Sequence, residues 1–163
     1  MFLNKEIAKQ AVALVVPSIM LAKTMGIGKR PHLHIVVVER PSAEMMGSCT
    51  FDQLILHEES IGEKKDWEFP FRDYALSKAY ISWRTGLGSD VVQTQFPQIL
   101  EVGDTIYGGS DVQGSVVTAC SGDHGFIDRM YARWINQAII GIATFNREKY
   151  VKDHPNEGLL KHH

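Results

Sequence analysis

The stretch DTIYGGSDVQGSVVTACSGDHGFIDRMYARW, Asp104–Trp134, decides how the rest of the chain is read. It holds a glycine-punctuated pair of extended segments, a tight Ser121-Gly122 corner, and a segment of helical periodicity that opens with two acids and a histidine. Asp104–Gly109 reads as a short strand or turn, SDVQ as a connection, and Gly114–Cys120 as a strand. From Gly125 or Phe126 to about Arg147, Ile127, Met130, Tyr131, Trp134, Ile135, Ala138, Ile142 and Phe145 recur with the spacing of one helix face. A strand that turns straight into a helix leaves backbone N–H groups without partners, and with the helix dipole these suit an anion. Plain capping of the helix by Ser121 or Asp123 is the alternative. Asp128, in the first turn or so, is favoured there by the dipole whatever its role.

Working upstream, Ile7, Ala11, Leu14, Val15, Ile19 and Ala22 mark an amphipathic helix capped by Asn4 and ended at Gly26, which Pro17 should bend or split. His32–Glu39 is β-branched and reads as a buried strand. Pro41–Glu44 make a turn, and the second strand of a hairpin is expected within Met45–Leu56, around Gly47–Phe51. His57–Trp67 reads as an exposed loop. Phe71, Ala75, Ala79 and Trp83 fall four apart on a helix that Gly86 ends. Val91–Leu100 reads equally as a short helix or an irregular crossing. Strands joined by turns and covered by long helices indicate an α+β domain with an antiparallel sheet, spanning 1–150, followed by a polar tail over 151–163.

The 163 residues suit one domain, and a net charge of −2 gives no broad basic surface for nucleic acid. The apolar run Ala11–Leu21, interrupted by Pro17 and Ser18, is too short to span a bilayer and lacks the flanks of a signal peptide, so no membrane partner is expected. Cys49 and Cys120 form no CxxC pair and read as reduced thiols in a cytoplasmic protein. Lys29-Arg30 and Lys64-Lys65 read as solvated loop. His32 and His34 share a strand face, but no cluster supplies further ligands, so no metal site is expected. Hydrolase, zincin and nucleotide-binding motifs are absent. Lys78, at the margin of an apolar helix face, can reach an anionic ligand or pair with Asp128 across the sheet.

Three features together resemble the GlcG/HbpS family, the heme-binding-protein-like domain also found at the C-terminus of PduO. Ser121-Gly122, five residues, Asp128, three residues and Ala132 match its closing motif, and Ala75–Ser82 matches its A-x-x-K-A helix through Lys78 and Ala79. Gly108-Gly109 stands where that family has a glycine-rich turn, and Leu14–Val38 is similar to its opening helix and valine-rich strand. The likeness covers about residues 5 to 145. It implies a profilin-like three-layer fold, a central antiparallel sheet flanked by helices, assembled as a homodimer or higher oligomer. It also implies binding of heme or a small anionic molecule, often in small-molecule catabolism. The chain departs from the family in a Thr118–Gly122 strand end that is shorter or shifted in register, in a longer His57–Phe71 loop and in its tail.

Carried over by position, Lys78, Ser121, Gly122 and Asp128 are the pocket candidates, with Tyr107, Trp67 and Phe69 on its apolar side. His34, His124 and Met46 are the ligand types for a heme iron. An alternative is a lyase or isomerase acting on an oxygenated carboxylate or aromatic breakdown product. There Asp128 or His124 moves the proton, and Lys78 or Arg72 stabilises an enolate-like charge. A third is an assembly partner whose corner residues only cap a helix.

Overall fold

A computed structural model describes residues 2–160. The first helix, α1 (Lys5–Thr24), starts where the Asn4 carboxamide accepts the Ile7 N–H at 3.0 Å. It runs unbroken through Pro17, which lies on the exposed face, where the acceptor it orphans belongs to exposed Ala13. On length and composition α1 could cross a bilayer, yet seven of its residues, Ile7 to Ala22, are buried in the protein's own core. Strand β1 (Leu33–Glu39) follows, buried on both faces as its Val-rich run predicts.

Its hairpin partner is β2 (Ile55–Ile61), and Ala43–Ser48 form turns, so the strand expected around Gly47–Phe51 lies further along the chain. His57–Ile61, read as loop, is an edge strand. Leu33 pairs with Ile61 and Val36 with Glu58, and an edge strand needs backbone pairing but no apolar run. Helix α2 (Phe71–Thr85) ends in a left-handed Gly86. The undecided stretch resolves into α3 (Ser89–Gln95) and a single 3₁₀ turn at Pro97–Ile99.

SDVQ is no connection. Ser110–Gln113 is strand β3, and Gly114-Ser115 turn it into β4 (Val116–Ser121). Asp111 tolerates burial there because Arg133, at 3.2 Å, and Asn136, at 3.1 Å, donate to its carboxylate. Helix α4 (Gly125–Asp153) closes the domain and runs past the expected end near Arg147. The proposed 151–163 tail thus begins inside a helix, and residues 161–163 of it lie outside the described residues.

The sheet is antiparallel throughout, in the order β2-β1-β4-β3. Leu33, Ile35, Val37 and Cys120 face α1 and α4, whereas Val36, Val38, Val117 and Ala119 face α2. The alternation of side chains along β1 therefore builds two cores and three layers, helix, sheet and helix. The α+β architecture expected from the sequence holds.

Candidate functional site

At the open end of β4, on the α2 side of the sheet, lies a cavity of about 340 Å³. Its floor and walls include Lys78, Ser121, Gly122, Asp123 and His124, and Phe69, Phe71, Tyr74, Ile106 and Tyr107 give it an apolar side. Arg30 also lines it.

The corner is built by close packing. At Gly122 a side chain would collide with the His32 carbonyl of β1's approach. Gly109 has φ +134°, and a Cβ there would sit 2.8 Å from the Asp128 Cβ and 2.9 Å from both the Cys120 carbonyl and Lys78 Nζ. Only glycine lets this strand entry pass so near the buried ion pair.

That pair is the one the sequence allowed for. Lys78 Nζ donates to Asp128 Oδ2 at 3.0 Å and to the Cys120 carbonyl at 2.8 Å. The Asp128 carboxylate also accepts the N–H groups of Gly122 (3.3 Å) and Asp123 (2.9 Å). The corner N–H groups expected to await an anion are thus occupied by the protein's own acid. Burial pushes the Asp128 carboxyl above its usual range, and the Lys78 ammonium and the Asp123 N–H only partly offset this. The same burial drives the neighbouring Cys120 thiol well up, which keeps it protonated and unreactive.

Capping by Asp123 does not occur either. His124 is the N-cap residue of α4 and makes no side-chain capping bond. Asp123 instead reaches across to the end of α1 and the α1–β1 loop, pairing with Lys23 at 2.6 Å and accepting the N–H of Lys29 (2.7 Å) and Arg30 (3.2 Å). This tether, made from about 93 residues away in sequence, brings Arg30 to the cavity. Its guanidinium lies 5.3 Å from the Phe69 ring centre and 6.0 Å from that of Phe71, within cation–π range. Read as solvated loop, Arg30 is the residue the sequence reasoning missed; nothing local to Lys29-Arg30 signals its destination.

Among the described residues, the Gly125 and Phe126 N–H groups at the open end of α4 donate to no protein acceptor. The Ser121 hydroxyl, on a residue only 3% exposed, likewise has no protein partner there. His124 lies parallel to Phe126 with ring centres 5.8 Å apart, and among the described residues nothing engages its ring nitrogens. Tyr107 packs on Tyr74, ring centres 5.2 Å apart. It is held there because Gln93 of α3 donates to the Thr105 and Tyr107 carbonyls at 2.9 and 2.8 Å. Arg84 anchors the same loop through Asp104 at 2.6 Å; burial works to raise the Asp104 carboxyl, but Arg84 and the Glu101 N–H outweigh it and hold it below its usual range.

The other expected residues sit elsewhere. His34 is 2% exposed and does not line the cavity; its ring nitrogens lie 2.8 Å from Ser60 Oγ and 3.1 Å from Glu58 Oε1. Burial lowers the His34 pKa, with Glu58 opposing. Arg72 holds Glu58 with two hydrogen bonds of 3.0 and 3.2 Å and is also outside the cavity. Trp67 packs edge-on against both His34 and Phe71, behind the wall. Met46 packs on the second core. Asp128 is 0% exposed and does not line the cavity itself; it meets it through Lys78 and the Gly122 and Asp123 N–H groups it holds.

The sequence matches no protein-family model, and no curated protein matches it. Two solved structures do. A double mutant of HbpS from Streptomyces reticuli superposes with a TM-score of 0.54 over 82% of this chain and 84% of that one, at 19% identity. The Klebsiella pneumoniae protein ORFY, described as DUF336, superposes with a TM-score of 0.56 over 84% of this chain and 90% of that one, at 16% identity. The chain has the HbpS and ORFY fold. That agrees with the resemblance carried by the Lys78 helix and the Ser121–Ala132 motif. It extends to the architecture, since most of both neighbours is covered. At such identities the shared HbpS-like fold names no ligand.

Proposed function

We propose that this protein binds a small anionic molecule with a flat apolar body, in the cavity at the open end of β4. The observation that carries this reading is the company Arg30 keeps: a guanidinium over two aromatic rings, beside an unpartnered and nearly buried Ser121 hydroxyl and the open end of α4. The anion pairs with Arg30 and the α4 terminus, and the body packs against Phe69, Phe71 and Tyr107. Benzoate and its neutral analogue benzamide test it by NMR titration. Benzoate binds, benzamide binds far more weakly, and Arg30→Met weakens benzoate by about tenfold or more. Equal binding of the two compounds, or benzoate binding untouched by Arg30→Met, would sink the reading.

Heme is the second reading, supported by the resemblance and by His124, which lines the cavity with free ring nitrogens. Heme would supply iron redox and ligand chemistry, His124 would hold the iron, and Arg30 would pair a propionate. His124 lacks the carboxylate or carbonyl partner that usually orients a metal-bound imidazole. A Soret band on adding hemin that His124→Ala abolishes supports this reading; an unchanged spectrum rejects it. In the lyase or isomerase reading, His124 and Lys78 are the groups with access to a substrate, and Asp128 acts through Lys78 and the Gly122 and Asp123 N–H groups it holds. The resemblance alone supports self-association and a link to small-molecule catabolism, and the free Cys49 and Cys120 support a cytoplasmic setting.

A further inference from the structure

Three cations border the Ser121–His124 corner, and the protein cancels two of them. Lys23 is 2.6 Å from Asp123, and Lys78 is 3.0 Å from Asp128, with both carboxylates at 0% side-chain exposure. Among the described residues the acid paired with the Arg30 guanidinium is Glu68, 3.9 Å away with its side chain 72% exposed, and so separated and solvated a pair contributes little. The corner therefore carries one uncompensated positive charge. Lys78 keeps one N–H beyond those given to Asp128 and Cys120, and with its charge already matched that donor suits a neutral oxygen.

We infer that the cavity selects ligands bearing a single negative charge, and that Asp128 is the specificity-determining residue, cancelling Lys78 without touching the ligand. A second carboxylate leaves water to face a floor whose two nearest charges sum to zero, so its desolvation is not offset. This rests on the reading of the cavity as an anion site. Asp123 serves the same selection from the other side, since its bonds to the loop position Arg30 while silencing Lys23.

The test compares benzoate with isophthalate, the same ring with two carboxylates, by NMR titration at low salt. Wild type binds isophthalate about tenfold or more weakly than benzoate. In Asp128→Asn the floor cation is released, and the ratio moves toward isophthalate by about tenfold. A purely structural role for Asp128 would weaken both compounds together and leave the ratio unmoved, which overturns the inference. If Asp128→Asn does not fold, the wild-type ratio decides: equal or tighter isophthalate binding refutes charge selection. Binding of benzoate with a flat ratio refutes this inference alone, whereas binding of neither anion refutes the anion reading and this inference with it.

Discussion

Replacing Lys78 with methionine isolates the energetics on which the corner stands. The substitution keeps most of the side-chain volume in α2 but leaves Asp128, at 0% exposure, with only the N–H groups of Gly122 and Asp123. It also leaves the Cys120 carbonyl without its 2.8 Å donor. Removing one partner of a buried pair costs about 3–5 kcal/mol, a large part of the roughly 5–15 kcal/mol that holds a domain folded. With an m-value of about 2 kcal/mol/M, the urea midpoint falls by roughly 2 M. The loss depends on pH. Burial already holds the Asp128 carboxyl above its unfolded value, and loss of the Lys78 charge raises it further. A carboxyl raised in this way favours folding fully below its unfolded pKa, and that advantage is lost as pH rises through the folded pKa. Lys78→Met is therefore most damaged at about pH 8 and recovers about 1 kcal/mol or more at about pH 5. Adding Asp128→Asn restores most of the pH 8 loss. Urea unfolding of wild type, both single variants and the double variant at both pH values completes the cycle. A Lys78→Met midpoint equal to wild type, or a loss that is the same at both pH values and not rescued by Asp128→Asn, refutes the account.

Gly109→Ala strains a φ of +134° and drives a methyl into Lys78 Nζ and the Cys120 carbonyl. It costs at least about 2 kcal/mol, a fall of about 4–8 °C in Tm by thermal unfolding, and an unchanged Tm contradicts the packing described. His34, its pKa lowered by burial, contributes stability that is full above its unfolded pKa and lost as pH falls through the folded one. Wild type thus loses more stability than His34→Gln between about pH 7 and pH 5, as urea midpoints will show, and parallel pH profiles argue against it. Leu14 and Leu21 of α1 and Met25 at its C-terminal cap are exposed at 65%, 60% and 68%. If these side chains join two copies, Leu21→Glu shifts the mass measured by light scattering from oligomer to monomer, and an oligomer that survives it is built elsewhere.

Local periodicity carried α1, α2 and α4, because each buries a face whose residues recur at its own repeat, and the β-branched run carried β1, buried on both faces. The Lys78–Asp128 pairing was also open to the sequence, since a lysine at the margin of an apolar face needs a partner or a ligand. Elements held by partners distant in the chain were not legible. HEESI is a strand because β1 supplies its backbone partners, and SDVQ is a strand because Arg133 and Asn136 of α4 satisfy Asp111. The corner illustrates both sides of the division. That Ser121-Gly122 turns a strand into a helix follows from the residues themselves. Which N–H groups stay open there, and that Arg30 joins them, follows only from the fold. Asp128 consumes the N–H of Gly122 and Asp123 from within α4, and Asp123 spends its carboxylate on a loop near the other end of the chain. Hydrogen bonds and ion pairs act over a few ångströms of space, so their outcome is set only once the chain has folded.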